Sequence, residues 1–481
     1  MPVIVNIINF IRGTEPRLNV NLYEPVRKQM QYISKYNFPA TWLLQYNALR
    51  DEKFQKILSK RPENHELGIW FELDKNLAEE AGIKWCGCFD WDWHANVGFS
   101  IGYTQRERKI LVDTFMKKFK QVYGFYPSSV GSWLIDAYII KYFYDKYGIV
   151  SSCICKDQWC TDGYTLWGGY YSQAYYPSKK NAFMPAQNME NQIPVPVFRM
   201  LGADPIYQYG CPCGKNGQSV ITLEPVCVDG GGSSGWVDWY FETILNSQSP
   251  SFGYIQIGQE NSFGWQRMRK GFIYQMSLLS SLQRLNLVRI QTLSEVGKWY
   301  KKTFRVTPAS SIFAYSDWKN EGNRSFWYYS SRYRINIYWS KGRMRIRDVH
   351  IFDEGYQERY LSRVNITETA TYDTLPVFDE YLMDRGRQKV KFEPVFVSDG
   401  LLEIKGKDPA IKKIREEVIE LIWPLNDDTY FYVICSRNNI KFLCKDHLWA
   451  IRIRWGEYKP SIFHDGSSLF LSSIMRTTNI T

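Results

Sequence analysis

The chain has 481 residues, 44% hydrophobic and 23% charged, with a formal net charge of +11. This is the composition of a globular protein, long enough for two to three domains on a prior of roughly 150 residues each. Its basic residues form no run of about five like charges, as in a nucleic-acid tail, and no apolar stretch reaches the roughly 18 residues that span a bilayer. Nucleic acid and membrane are therefore set aside as partners.

Aromatic content is high: Trp 18, Tyr 34 and Phe 27 make 16% of the chain. Tyr and Trp carry polar handles and favour binding surfaces, and sugar C–H faces stack on their rings. A carbohydrate is thus the expected ligand, with a large aromatic core as the alternative. The start, "MPVIVNIINFIRG", has no basic segment before an apolar core and no small-residue cleavage site. A cytoplasmic protein is expected, a removed leader being left open. The ten cysteines read as free thiols, although Cys86/Cys88, Cys153/Cys155 (with Cys160) and Cys211/Cys213 could hold a metal. No cofactor is expected, and homo-oligomerisation is left open.

In chain order, strands are predicted at 2–10, 38–46, 65–73, 129–136, 149–157, 196–204, 253–261 and 286–294. Helices are predicted over 22–36, 51–60 and 105–124, the last with Ile110, Leu111, Phe115, Phe119 and Val122 at helical spacing. Short apolar strands alternating with helices predict an α/β fold with a parallel sheet, here a closed or nearly closed (β/α)7–8 barrel over residues 1–308. In such a barrel the site lies at the carboxyl ends of the strands, where Gln45, Glu72, Asp136, Asp157, Asp204 and Glu260 fall. From 309 to 481 apolar and polar residues alternate, which predicts an antiparallel β-sandwich, interrupted by a short helix, "DPAIKKIREEVIELI" (408–422). Arg343, Arg345 and Arg347 alternate and predict a solvated strand face or, as the sharper alternative, an attraction for acidic glycans.

Two loops stand out. Residues 158–195 carry Tyr164, Trp167, Tyr170, Tyr171, Tyr175 and Tyr176 and read as a folded lid or binding wall, or as a packed flap. Asp162 and Trp167 in this loop are candidate substrate contacts. In "WCGCFDWDWHANVGFSIGYT" (85–104), Asp90, Asp92 and His94 could hold a metal, although a sugar-binding or structural loop fits better.

"KYNFPATWLLQYNAL", "HELGIWFEL" and "YGFYPSSVGSWLIDAYIIKYFYDKYGIVSSCICKDQ" follow in that order. Together they resemble the polysaccharide deacetylase-like barrels of the glycoside hydrolase/deacetylase superfamily. The resemblance covers residues 1–160 by motif and the rest by architecture. It implies a distorted β/α barrel, often with added β-sandwich domains, and for the deacetylases a divalent metal held by paired Asp residues after strand one and a His-x3-His on strand three. This chain departs from that pattern. Arg12 stands where an acid is needed, Trp70 replaces the first His and Asp74 the second. The departures imply a metal-independent reaction on the same scaffold.

Glycoside hydrolysis then needs two carboxylates, one protonated and one ionised. Glu260 is the expected general acid, because Phe263 and Trp265 could raise its pKa by desolvation. Asp204 is the expected second carboxylate and Asp136 the reserve. Asp204 before Pro205 also suits a turn, and Asp136 suits a helix cap. Arg12, Arg17 and Arg199, with Glu15 between the first two, could bind an acidic sugar, or Arg12 and Glu15 could pair. Gln45, Trp70, Glu72, Trp133 and Asp157 are candidate hydroxyl and ring contacts. Two other classes stay open: a non-catalytic glycan binder, and a divergent deacetylase using Asp90, Asp92 and His94.

Overall fold

The computed structural model describes residues 3–161, 164–210, 220–384, 390–445, 447–455, 468–472 and 477–480. Its first part is built on parallel strands β1 (Val3–Ile11), β2 (Ala40–Leu44), β3 (His65–Trp70), β4 (Ser129–Gly131), β5 (Ser151–Cys155), β6 (Val197–Met200), β7 (Tyr254–Ile257) and β8 (Val288–Gln291). They pair in the order β7-β1-β2-β3-β4-β5-β6, and a short antiparallel strand, Ala174–Tyr175, lies on β6. β1 is the hub. Its first half pairs with both β7 and β8, and its second half with β2. One strand serving three partners makes the sheet curl.

The strands lie where expected and all but β1 are shorter, so the polar rim residues fall beyond their carboxyl ends. Local chemistry sets the helix limits. Thr104 and Glu107 form a capping box on the helix Gln105–Tyr123, and Gly124 closes it at φ 83°. Asp136 caps the helix Ala137–Tyr147, which Gly148 ends at φ 67°. Among the described residues, no helix is long and apolar enough to cross a membrane.

After residue 309 the pairing becomes antiparallel. One sheet runs Ser310–Ala314, Arg324–Tyr329, Tyr333–Ser340, Arg343–Ile351, Val390–Val397, Trp449–Trp455, Ser468–Ser472. A second runs Ala410–Arg415, Val418–Pro424, Tyr430–Cys435, Ile440–Cys444, Thr477–Ile480. Both feed one core, in which Phe326 and Ile346 join Leu421 and Phe442. The helix expected over 408–422 is instead a hairpin of the second sheet. Its apolar residues at spacings of three and four imitate a helix. In the fold, Ile419, Leu421 and Trp423 alternate inward, and Glu416 turns the chain at φ 49°. The solvated face expected for the three arginines holds only at Arg343. Arg347 is buried and donates to Asn336 Oδ1 and the Ile206 carbonyl.

The loop after β5 packs between the two parts. Tyr164, Trp167, Tyr170, Tyr171, Tyr175 and Tyr176 are all buried, and Tyr171 stacks on Trp327 at 3.7 Å. Beside them runs a buried ionic network. Asp157 accepts from Arg199 and Arg334, Arg334 also holds Asp348, and His350 bonds Asp379, which accepts the Trp167 indole. Removing one member strands the others as uncompensated buried charges. Arg334→Ala is therefore expected to cost about 3–5 kcal/mol in urea unfolding, far more than an exposed pair such as Lys407–Asp427 would.

Candidate active site

Three residues follow β7 in a row, and each has its own task. Gln259 donates to Glu224 Oε1 at 3.2 Å, and its backbone N–H meets Asn9 Oδ1. Asn261 clips the end of β1: its Oδ1 accepts the Arg12 N–H at 2.8 Å, and its Nδ2 donates to the Arg12 carbonyl at 2.9 Å. Between them, Glu260 points at the Arg12 guanidinium. Gly258 makes this exit possible. Its φ is +117°, and a Cβ there would lie 1.9 Å from the Ile8 carbonyl oxygen.

Arg12 organises the rim. Its Nε and Nη2 donate to the two oxygens of Glu72, both at 3.1 Å. Nη1 donates to Glu260 Oε1 at 3.4 Å, and Nη2 lies 3.3 Å from Glu260 Oε2. Glu15 adds a third carboxylate at 3.7 Å and is itself gripped by Arg17. The Arg12 guanidinium rests on the Trp91 ring at 3.8 Å, and Arg17 lies against Trp91 and Trp93. This is how the loop 85–104 reaches the site. Trp70 donates its indole N–H to Glu72 at 2.7 Å, stacks on Phe10 and meets Trp133 edge-on.

Two guanidinium groups thus face three carboxylates; Arg12, Glu15, Glu72 and Glu260 are buried, while Arg17 reaches solvent. Burial favours the protonated form of Glu260. Burial raises its pKa from an ordinary 4.5 to about 7, against the opposing pull of Arg12 and of the Ser262 hydroxyl, while Glu72 and Glu224 add to the rise. Ser262 donates to Glu260 Oε1 at 2.5 Å.

The cluster brings together Arg12, Glu15, Arg17, Trp70, Glu72 and Glu260, with Trp133 packed on its aromatic floor. Gln45 lies one residue past β2, fully buried, and both of its amide atoms lack partners. The other candidates are engaged elsewhere. Asp204 accepts the backbone N–H groups of Ile206 and Tyr207 and the indoles of Trp236 and Trp318. Burial raises its pKa, and those four bonds oppose the rise. Asp136 caps its helix through Ile139 N–H and also holds Ser100 and Arg108. Asp157, Arg199 and Trp167 belong to the ionic network. Asp162, Cys211, Cys213 and the Cys160 side chain lie outside the described residues. In the loop 85–104, His94 and Asp92 pair with each other while Asp90 faces outward. Glu224 and Lys156 complete the rim without having been expected there. Lys156 stands one residue past β5, a position legible in the sequence.

The metal of the deacetylases does not fit this rim. Where strand-one acids would bind it, the fixed cation Arg12 already occupies the carboxylates. Asp74, at the second His position, caps the helix Lys75–Glu80 and accepts the Asn47 N–H.

No protein-family model and no curated protein matches the sequence. Among solved structures, a "putative glycoside hydrolase/deacetylase" from Parabacteroides distasonis superposes with a TM-score of 0.56 at 14% identity, over 79% of this chain and 90% of that one. The chain shares the fold of that protein. Two more distant matches are a "putative polysaccharide deacetylase" from Mycobacterium smegmatis and a GH57-type branching enzyme from Pyrococcus horikoshii. They superpose with TM-scores of 0.38 and 0.35 at 11% and 8% identity, each over 62% of this chain and over 90% and 71% of their own. On this fold the Arg12 cluster lies at the carboxyl ends of β1, β3 and β7.

The raised pKa has a stability consequence. Above about pH 7 the folded chain bears the cost of an ionised, buried Glu260. That cost disappears as pH falls through about 7, before the unfolded chain's carboxyl takes up its proton near 4.5. Glu260→Gln lacks this titration. Its stability relative to wild type is expected to be greater at pH 8 than at pH 5, by on the order of 3 kcal/mol in urea unfolding.

Proposed function

We propose that the protein is a metal-independent glycoside hydrolase, with Glu260 as general acid at the mouth of a (β/α)7–8 barrel. The barrel corresponds to residues 1–308 and a β-sandwich domain to 309–481. The observation that carries this reading is a buried carboxyl with a pKa of about 7, beside a second carboxylate on the same guanidinium. The raised pKa keeps a proton available at neutral pH for the glycosidic oxygen. Glu72, which accepts from Arg12 Nε and Nη2 and from the Trp70 indole, stabilises the positive charge that develops on the sugar. It takes the role expected of Asp204 or Asp136, whose lone pairs are already spent on structural donors. Gln45 and Trp133 supply hydrogen-bonding groups for hydroxyls. The shared fold with a "putative glycoside hydrolase/deacetylase" supports a carbohydrate substrate.

The test is hydrolysis of neutral and acidic aryl glycosides and natural glycans, with and without EDTA. Release by wild type is expected to survive the chelator, and Glu260→Gln to lower kcat by about 10²–10⁴-fold. Loss of activity with chelator, or full activity in Glu260→Gln, would overturn the assignment. Glycan binding without turnover would leave a carbohydrate-binding protein.

A further inference from the structure

An acidic sugar needs a cation in the site that is not already neutralised. Arg12, Arg17 and Arg199 were the expected readers, but each sits on a protein carboxylate. Lys156 does not. It follows β5 directly, is 2% exposed, and its Nζ makes no hydrogen bond. A buried ammonium carries three donors and no acceptor, so leaving it unpartnered is costly.

Its place in the fold puts it at the mouth. Lys156 follows β5 and Glu260 follows β7, so both stand beyond the carboxyl ends of the parallel strands. Gln259, beside Glu260, donates to the buried Glu224. On that rim the Gln45 amide and the Trp133 indole N–H are also buried and unpartnered. An amide offers a donor and an acceptor and an indole a donor, which suits hydroxyls; the ammonium calls for an anion.

We infer that Lys156 is the anion-reading residue of this mouth, and that the sugar ring entering it carries a carboxylate or sulfate group. The inference rests on the reading that the mouth takes a glycan, and it adds the charge class of that glycan. One ammonium gives a single ionic contact, so it selects for charge more than for ring geometry.

Binding, measured separately from turnover, tests it. Titration calorimetry at pH 7 would compare wild type with Lys156→Met. The probes are oligosaccharides ending in glucuronate, galacturonate or N-acetylneuraminate, each beside its methyl ester, and a sulfated galactose trisaccharide beside its unsulfated form. Wild type is expected to bind at least one anionic probe about tenfold or more tightly than its neutral counterpart. Preference confined to the acids names a carboxylate, and preference confined to the trisaccharide names a sulfate. Lys156→Met is expected to lose the preference and keep the neutral affinity. Because it removes an unpaired buried charge, its Tm should equal or exceed that of wild type. Equal binding of anionic and neutral probes, a preference that survives in Lys156→Met, or a lowered Tm would each overturn the inference. Neutral glycans bound and cleaved with Glu260 dependence would overturn it alone. No glycan binding at all would overturn it together with the proposed function.

Discussion

The rim of the parallel sheet depends on where the Arg12 guanidinium is held. Its backbone is clipped to Asn261, its side chain binds Glu72 and Glu260, and its face lies on Trp91. Through those contacts the ends of β1, β3 and β7 and the loop 85–104 share one centre. The same cation enters the electrostatics. Arg12 holds the Glu260 pKa down, yet burial outweighs it and raises the value to about 7. A divalent ion would need the carboxylate oxygens; a guanidinium that donates to both Glu72 and Glu260 already uses them.

Much of this was legible in the sequence because buried parallel strands appear as short apolar runs, whose ends mark a rim. Glu260 was visible there, just past a short apolar run. The pairing of Arg12 with Glu15 was also visible, as an alternative to substrate binding. Asp204 shows where sequence reasoning stops. Its neighbour Pro205 announces a turn, but two of its four donors, Trp236 and Trp318, come from remote positions that no local pattern connects to it. Glu72 was assigned to substrate contact because its bidentate hold on Arg12 is a tertiary fact. The hairpin at 410–424 was hidden because its apolar spacing fits a helix as well as a strand, and the partner strand Tyr430–Cys435 decides between them.

The change of pattern near residue 308 marks a change in strand pairing but no break in packing. Trp327, Tyr329 and Tyr372 share a core with residues of the parallel sheet, and the aromatic loop after β5 fills the space between. Its rings are enclosed, so their abundance in this segment reflects interior packing more than a sugar-stacking wall. The ionic network running from Arg199 to Asp379 gives that interior a polar register. Its bonds have direction, so the two parts fit in one relative position.

The arrangement of β1 also bears on how the chain comes to be folded. Ile4 pairs with Tyr254 and Arg289, so the first strand waits for partners some 250 to 285 residues downstream. During synthesis the strand has left the ribosome long before β7 and β8 exist. Its nine buried residues, Val3 to Ile11, must meanwhile stay out of wrong pairings. The clip between Arg12 and Asn261 closes only after β7 has docked. The Arg12 rim is thereby among the last features of the parallel sheet to form, and a chain that stalls before residue 261 holds β1 by its second half alone, on β2.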